Sequence, residues 1–473
     1  MHSIFSLSPL PGALLIGPMF VWIVDAGLKH TSRQLLGLTL MAVFGGWLTS
    51  NLPAYAEDAL DRFKFERLQA VHQAVEKLKN ERRQLAAPGP WTDYRANLHV
   101  HSAFSHDSRG QIDDIVAAAK RVGTQVIMFT EHPADHYDFY SDGHQGLHDG
   151  VLLIPGAELR GMHVYPRTSL QGSEQGSEQE LCNQVAGRDG LLFLCHLEER
   201  MDWELQGLAG SEIYNTHADF KDEKRLMAQF RNPLWLLNVA ERVKQYPQEA
   251  YSALLTYPAD YLRRWDELCQ LYPHTGVSAN DAHQNIGVRV RLTENDKVRV
   301  EDALGEKLLE LDKGAVTDVL PLPADAEPGS VLFELQLDPY ENALRHVATH
   351  LLMQELSQAA VWDALREGRA YVAFDWIADA TGFDVCLHDN GTRREMGSHV
   401  EWSEGLKLVG QAPLAGRWRL IRDGQLQSEV SGETLDYEIA QPGRYRVEVW
   451  LDLAGEAYPW ILSNPFYVVA PSK

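Results

Sequence analysis

Cysteine is scarce in this chain of 473 residues. Its four cysteines are Cys182, Cys195, Cys269 and Cys386, and no two of them form a CxxC pair. They are too few and too scattered for a disulfide scaffold or a CxxC-type zinc site. We therefore expect core or incidental thiols, which do not identify a redox compartment.

Basic residues are also under-represented, because 43 Lys and Arg stand against 66 Asp and Glu, a formal net charge of −23. Phosphates repel so acidic a chain, which argues against long nucleic acid as a partner. Hydrophobic residues at 45% and charged residues at 23% exclude a wholly disordered chain, a collagen-like chain and a polytopic membrane protein. The 19 histidines leave room for bound cations that offset part of the charge.

Residues 1–56 are predicted to be a signal peptide or membrane anchor. Basic residues precede an apolar stretch at 35–48, and Ala54 and Ala56 form an A-x-A cleavage pattern. A second apolar stretch at 10–24 fits an early start codon, a two-helix membrane hairpin or a buried helix pair. Both stretches are short for crossing about 30 Å of hydrocarbon. We therefore favour cleavage after Ala56 and an exported or periplasmic protein, with N-terminal membrane anchoring as the alternative.

Residues 57–90 carry apolar side chains at spacings of three and four before the breaker AAPGP, which predicts an N-terminal amphipathic helix. Residues 91–375 alternate short apolar runs with helical segments such as 111–122 and 259–271, which predicts an α/β fold with a mostly parallel sheet or barrel.

The apolar runs of this central region end in metal-ligand residue types. The strand ends carry His99 and His101, Glu131 and His132, Glu158, His196, Glu212, and Asp281 and His283. The carboxyl ends of barrel strands converge on one face, so we expect these side chains to meet. The i, i+2 spacing within the first and last pairs predicts that each pair points to one side of its strand. Mixed imidazole and carboxylate ligands favour Zn, Mn or Fe.

The segments NLHVHSAFSHD, FTEH, PGAEL, CH and SANDAH together resemble the PHP (polymerase and histidinol phosphatase) domain family, from about Asp93 to His283. The resemblance implies a distorted (β/α)7 TIM-like barrel whose two or three divalent metal ions hydrolyse phosphate esters. It implies metal ligands at His99, His101, His132, Glu158, His163, His196, Asp281 and His283. The family usually has SDG after its HxH motif, whereas this chain has SHDSRG; Asp107 is favoured as the ligand there, with His106 as the alternative.

The chemistry of such a site predicts attack on phosphorus by a metal-bridging hydroxide. Arg160, and after it Arg200, are candidate cations for the phosphate oxygens, and His106 or His217 is a candidate general acid. The long segment 131–150 is a candidate pocket-shaping loop, in which Tyr137 and Tyr140 can stack on a base or sugar. Glu212 and Asn215 either line the pocket or cap a strand.

Residues 376–473 alternate apolar and polar side chains between Gly and Pro turns, which predicts a small all-β sandwich domain. Residues 293–328 are charged and rich in turn residues, and are interpreted as a surface insertion. The expected function is hydrolysis of a small phosphorylated substrate. Two alternatives stay open, namely an amidohydrolase-like enzyme acting on a carbamate, ester or amide, and a non-catalytic, metal-stabilised envelope binding protein.

Overall fold

The structure, a computed structural model, describes residues 59–86, 89–171, 176–222, 233–314 and 326–471. The predicted signal or anchor segment, residues 1–56, lies outside the described residues. Among the helices in the described ranges, none is both long and apolar enough to cross a membrane. Those helices are α1 (Ala59–Arg62), α2 (Phe65–Glu81), α3 (Ile112–Val122), α4 (Glu178–Ala186), α5 (Thr216–Asp222), α6 (Pro233–Gln245), α7 (Pro247–Ser252), α8 (Ala259–Leu271), α9 (Tyr340–His346) and α10 (Gln358–Arg366).

Local sequence accounts for several helix boundaries. Helix α3 ends at Gly123, whose φ of 77° is the left-handed conformation that glycine adopts without a Cβ clash. Ser177 and Glu180 form a reciprocal capping box at the start of α4. The amphipathic stretch predicted over 57–90 contains two helices, α1 and α2, and the segments predicted at 111–122 and 259–271 are helical as α3 and α8.

A mostly parallel sheet forms the frame of the central region. Parallel pairing connects the strands in the order β4, β2, β1, β9, β8 and β7, and antiparallel pairing continues to β6 and β5. A bridge between Glu131 and Ala157 links the end of β2 to β5. The strands are β1 (Thr92–Val100), β2 (Val126–Phe129), β3 (Gly146–His148), β4 (Val151–Ile154), β5 (Ala157–Leu159), β6 (Met162–Tyr165), β7 (Leu191–Leu194), β8 (Gly210–Asn215) and β9 (Thr275–Ala282). The fold is therefore mixed α/β, and the distorted (β/α)7 barrel stays a prediction.

A separate four-stranded antiparallel sheet lies where the surface insertion is expected. Its strands, in the order β12, β11, β10, β13, enclose a small core of Val290, Leu292 and Val298. The strands are β10 (Gly287–Leu292), β11 (Lys297–Asp302), β12 (Lys307–Asp312) and β13 (Val331–Gln336). The insertion therefore has its own secondary structure and begins before residue 293.

The C-terminal region is rich in β-structure and continues the central sheet. Strand β14 pairs antiparallel with β1, and β15 joins β14 to β22. The buried Trp418 and Trp460 share one hydrophobic core with Ile213 of β8 and Trp265 of α8. The strands are β14 (Ala348–Met353), β15 (Ala370–Ala373), β16 (Asp384–Asp389), β17 (Thr392–Arg394), β18 (His399–Glu401), β19 (Lys407–Arg422), β20 (Gln425–Glu438), β21 (Gly443–Leu453), β22 (Glu456–Ser463) and β23 (Phe466–Val469). The division at residue 376 and the sandwich architecture stay predictions.

Candidate metal centre

The Glu158 carboxylate lies among four imidazoles that come from different parts of the chain. Its Oε2 is 3.3 Å from His99 Nε2, 3.8 Å from His101 Nε2 and 3.9 Å from His132 Nδ1. Its Oε1 is 3.2 Å from His196 Nε2. A carboxylate with both oxygens facing nitrogen donors can bridge two cations.

Asp281, on β9, faces three of these imidazoles and two others. Its Oδ1 is 3.2 Å from His99 Nε2 and 3.3 Å from His283 Nδ1. Its Oδ2 is 3.5 Å from both His196 Nε2 and His217 Nδ1. Asp281 therefore joins ligand candidates from the beginning and the end of the central region.

Asp107 is the residue of the SHDSRG segment that reaches this cluster. Its Oδ2 is 3.3 Å from His132 Nε2 and 3.4 Å from His283 Nε2, and these three residues form a potential metal-binding group with His101. The His106 side chain is 79% exposed, with Nδ1 4.0 Å from Asp107. The geometry thus favours Asp107 over His106 as the ligand and leaves His106 at the solvent edge.

Backbone irregularities, rather than simple strand alternation, orient these side chains. His99, His196 and Asp281 have φ values of 65°, 46° and 49°, in the left-handed region that non-glycine residues seldom adopt. The pairing register of β1 shifts between Leu98 and Val100 against both β2 and β9. Such bulges commonly re-aim side chains beside active sites. The His99 and His101 rings do lie close together, with centroids 5.2 Å apart, but a bulge brings them there.

Glu212 supports the cluster from its buried side. It is fully buried, and its Oε1 is 2.7 Å from His99 Nδ1 and 2.9 Å from His163 Nε2. Its Oε2 accepts hydrogen bonds from the His196 backbone N–H and the Asn215 side chain. His163 therefore lies beside Glu212 at the Nδ1 edge of His99, whereas Glu158 lies at the Nε2 edge.

Asn215 also accepts hydrogen bonds from backbone N–H groups at the start of α5, so it caps a helix.

Three further polar residues, Glu131, Ser105 and Glu198, hold the candidate ligand histidines. Glu131 accepts hydrogen bonds from the Ser102 backbone N–H and from the hydroxyls of Ser102 and Ser105. Ser105 Oγ is 3.0 Å from His101 Nδ1 and also accepts the His132 backbone N–H. Glu131 thus supports the loop that follows His101.

Glu198 approaches the Nδ1 atom of His196 to 3.3 Å and accepts a hydrogen bond from Tyr261. Sequence reasoning missed the roles of Ser105 and Glu198, although both follow a strand-end histidine within a few residues.

The candidate cations Arg160 and Arg200 both donate hydrogen bonds to backbone carbonyls. Arg160 donates to the Gly176 carbonyl, and Arg200 donates to the carbonyls of Cys195 and His196. Arg200 therefore shapes the turn that carries His196.

In the loop over 131–150, the Tyr137 hydroxyl donates to the His132 carbonyl and the Tyr140 hydroxyl to the Arg167 carbonyl.

The electrostatics of the cluster favour positive charge between its carboxylates. Burial alone would raise the pKa of Asp107, but hydrogen bonds from His132 and His283 hold that pKa well below its usual range. Burial alone would lower the pKa of His196, yet its hydrogen bonds with Glu158 and Glu198 raise that pKa to about 10. Burial lowers the pKa of His101, and neighbouring imidazoles lower it further. The carboxylates therefore attract cations, while His101 offers a neutral nitrogen.

The donor set fits divalent metal ions. Asp107 Oδ1 is buried and has no hydrogen-bond partner within the described part of the chain, although buried polar atoms are normally partnered. Four groups of three or four ligand atoms lie close enough to hold an ion. Imidazoles with Nδ1 tied to a carboxylate or hydroxyl are typical metal ligands. The candidate ligands thus combine neutral nitrogen donors with bridging oxygen donors.

Comparison with known proteins gives a match between residues 97–252 and the PHP domain model. The matched range contains the ligand candidates from His99 to His196 and ends before Asp281 and His283. A solved structure from Bacteroides vulgatus ATCC 8482 is described as a two-domain protein containing a predicted PHP-like metal-dependent phosphoesterase. It is similar at 12% identity and a TM-score of 0.35, over 81% of this chain and 98% of that chain. No curated protein matches. Residues 97–252 of this chain belong to the PHP domain family.

Proposed function

We propose that this protein is a metal-dependent phosphoesterase that hydrolyses a small phosphate ester. The observation that carries the proposal is the position of Glu158 and Asp281, each of which faces imidazoles from several strand ends. The PHP domain match supports a hydrolase of this class. The proposed cofactors are two to three divalent ions of Zn, Mn or Fe, the metals that mixed imidazole and carboxylate ligands suit.

The candidate ligands form four groups, and His99, His163 and Glu212 make up the one on the buried side. His101, Asp107, His132 and His283 form one group, and His99, His101 and Asp281 a second. His99, Glu158 and His196 form the third, beside which His217 faces Asp281. When bound, divalent ions would lower the pKa of water toward neutrality and offset negative charge on phosphate oxygens.

The chain's own residues orient the ligands and supply protons. Glu212, Ser105 and Glu198 hold the Nδ1 atoms of His99, His101 and His196, which keeps the Nε2 atoms directed at the cluster. His217, whose side chain is 41% exposed beside Asp281, is one candidate general acid for the leaving oxygen. His106 is the more exposed candidate for the same step. Arg160 remains a candidate partner for the phosphate.

Metal analysis combined with a phosphoester panel tests the proposal. The wild-type protein is expected to bind two to three ions and to release phosphate, whereas His99→Ala loses both metal and turnover. His388→Ala, at an outward position on β16, is the matched control and is expected to behave as wild type. Turnover of an ester or amide without phosphate release from any phosphoester would contradict the proposal.

We also propose that the protein is exported, through the N-terminal segment that precedes Glu57. The experiment is N-terminal sequencing of the mature protein from the cell envelope fraction. A mature chain that begins at Glu57 is expected, and an uncleaved chain confined to the cytosol would overturn the proposal.

A further inference from the structure

An open cleft of about 520 Å³ lies away from the metal centre. Its lining includes His274 and Thr275, at the start of β9, whereas Asp281 lies at the other end of that strand. An eight-residue strand spans about 25 Å. We call this feature the Arg369 cleft, and it is separate from the cluster around Glu158.

Positive charge exceeds negative charge in the lining of the Arg369 cleft. Four arginines and two glutamates contribute to it, although the whole chain is strongly acidic. Asp384 and Glu395 neutralise Arg393, and Asp189 pairs with Arg366. Arg369 is 11% exposed in its side chain, and its carboxylate partner is Glu367, which is 63% exposed. A solvent-exposed carboxylate is a weak counter-ion that another anion can displace.

Three side chains of the lining have buried hydrogen-bonding atoms without a partner in the described residues. His274 is 1% exposed, and neither of its ring nitrogens has a hydrogen-bond partner among the described residues. Burial lowers its pKa to about 3, so the ring is neutral with one N–H donor. Trp91 Nε1 and Arg369 Nε are also buried without a partner in the described ranges. The Arg369 guanidinium lies over the Trp91 ring, 4.5 Å from its centroid.

These observations point to a ligand that accepts hydrogen bonds and carries negative charge. Buried donors without partners are uncommon in proteins, and a guanidinium fits the oxygens of a phosphate group by paired N–H bonds. Trp91 adds a flat apolar surface beside that guanidinium.

We propose that the Arg369 cleft binds a small phosphate-type anion, which replaces Glu367 on the Arg369 guanidinium. The anion is either free phosphate or a phosphate group on a planar ring that packs near Trp91. The proposal does not depend on the activity of the metal centre.

Isothermal titration of the full-length, metal-loaded protein with phenylphosphonate and with inorganic phosphate tests it. Arg369→Gln is expected to weaken one binding component about tenfold or more, because a charge-assisted pair is lost. Glu367→Gln is expected to strengthen the same component, because the competing carboxylate is gone. Arg263→Gln, which changes an exposed arginine of α8, is the control and should leave both titrations unchanged.

Trp91→Leu separates the two sources of phosphate. Weakening of phenylphosphonate alone supports a ring-bearing ligand, and an unchanged phenylphosphonate affinity supports free phosphate. The proposal is overturned if Arg369→Gln and Glu367→Gln both titrate as wild type. Should Arg369→Gln fail to fold, Glu367→Gln at its exposed position decides the question. Turnover of phosphoesters by Arg369→Gln is expected to equal that of wild type. A failure of the anion-binding proposal can therefore be distinguished from a failure of the proposed hydrolase.

Discussion

At the scale of single residues, the buried carboxylate of Glu212 decides how His99 faces the cluster. Because Glu212 accepts a hydrogen bond at the Nδ1 edge of His99, the Nε2 lone pair is available to a metal ion. The same carboxylate binds the backbone of His196, so it positions two ligands at once. Its own desolvation is compensated by these hydrogen bonds and by His163.

Glu212→Gln is therefore expected to lower metal affinity about 10- to 100-fold, the usual effect of losing such a supporting carboxylate. Competition with a fluorescent chelator measures the affinity directly. Glu310→Gln, on the exposed β12, serves as the control. An unaltered affinity in Glu212→Gln would show that His99 is held by other contacts.

At the scale of secondary-structure elements, a buried ionic network joins β1, β14 and the residues after β15. His350 Nδ1 lies 2.8 Å from Asp93, and His350 Nε2 lies 2.9 Å from Asp375, which also pairs with Arg95. Burial alone would lower the pKa of His350, but the two carboxylates raise it to about 10. The charged imidazole thus stabilises the attachment of β14 to β1.

This network predicts a pH-dependent stability. A histidine whose folded pKa is raised stabilises the fold fully below its unfolded pKa of about 6.5 and loses that effect as the pH rises toward 10. His350→Gln is expected to reduce the free energy of unfolding by about 3 kcal/mol at pH 6, and by less at pH 10. Urea titrations at both pH values measure the difference in the free energy of unfolding between wild type and His350→Gln.

His388→Gln, at an outward position on β16, is the comparison variant for these titrations. If the difference in the free energy of unfolding between wild type and His350→Gln grows as the pH rises, His350 is not charged in the folded protein.

At the scale of the whole molecule, the β-rich C-terminal region and the region that carries the candidate metal ligands are packed around one core. Trp460 donates a hydrogen bond to the Ala378 carbonyl, and Asn464 bonds to the backbone of Gly276 and Ala370. Removal of β16 to β23 would expose the buried face of β15 and much of that core, at a cost of about 25 cal/mol for each Å² of apolar surface.

A chain of residues 57–375 is accordingly expected not to fold. Circular dichroism and binding of an apolar dye in the soluble fraction check this expectation. Replacement of residues 293–328 by a short Gly-Ser linker is the matched control, because it removes β11 and β12 but keeps the β10–β13 pair, whose Val288 and Leu335 pack on the central core. Cooperative unfolding of the 57–375 chain would show that the central region is autonomous.

Metal removal is expected to destabilise the whole molecule. Ligands that bind only the folded state raise its stability by about 3 kcal/mol at 100 times their dissociation constant. Chelation should therefore lower the melting temperature by several degrees, measured by calorimetry. Asp281→Asn should show little change on chelation. A melting temperature that chelator leaves unaltered in the wild type would argue against bound metal.

The formal charge of −23 overstates the negative potential at the proposed active face. Glu158, Asp107 and Asp281 point into the cluster, where divalent ions would neutralise them. Under the proposed function, a phosphorylated substrate can thus approach an acidic protein at the metal centre, while the net negative charge still disfavours long nucleic acid.

The sequence by itself determined the types of the elements and most of the residues of the cluster. Apolar runs ending in His, Glu or Asp predicted strand ends that meet, and Glu158, His132, His196 and Asp281 do meet. Helices α3 and α8 were also predictable, because helical periodicity is a local property, as is the glycine cap of α3.

Only the tertiary structure decided which polar side chains touch. It brought Asp107 rather than His106 to His283, set His163 beside Glu212, and made a bulge rather than strand alternation orient His99. It also joined the C-terminal strands to the central core and formed the Arg369 cleft. These contacts link residues far apart in the chain, so they depend on how elements pack and which buried polar atoms find partners. Local hydrophobic patterns carry no information about how elements pack or about which buried polar atoms find partners.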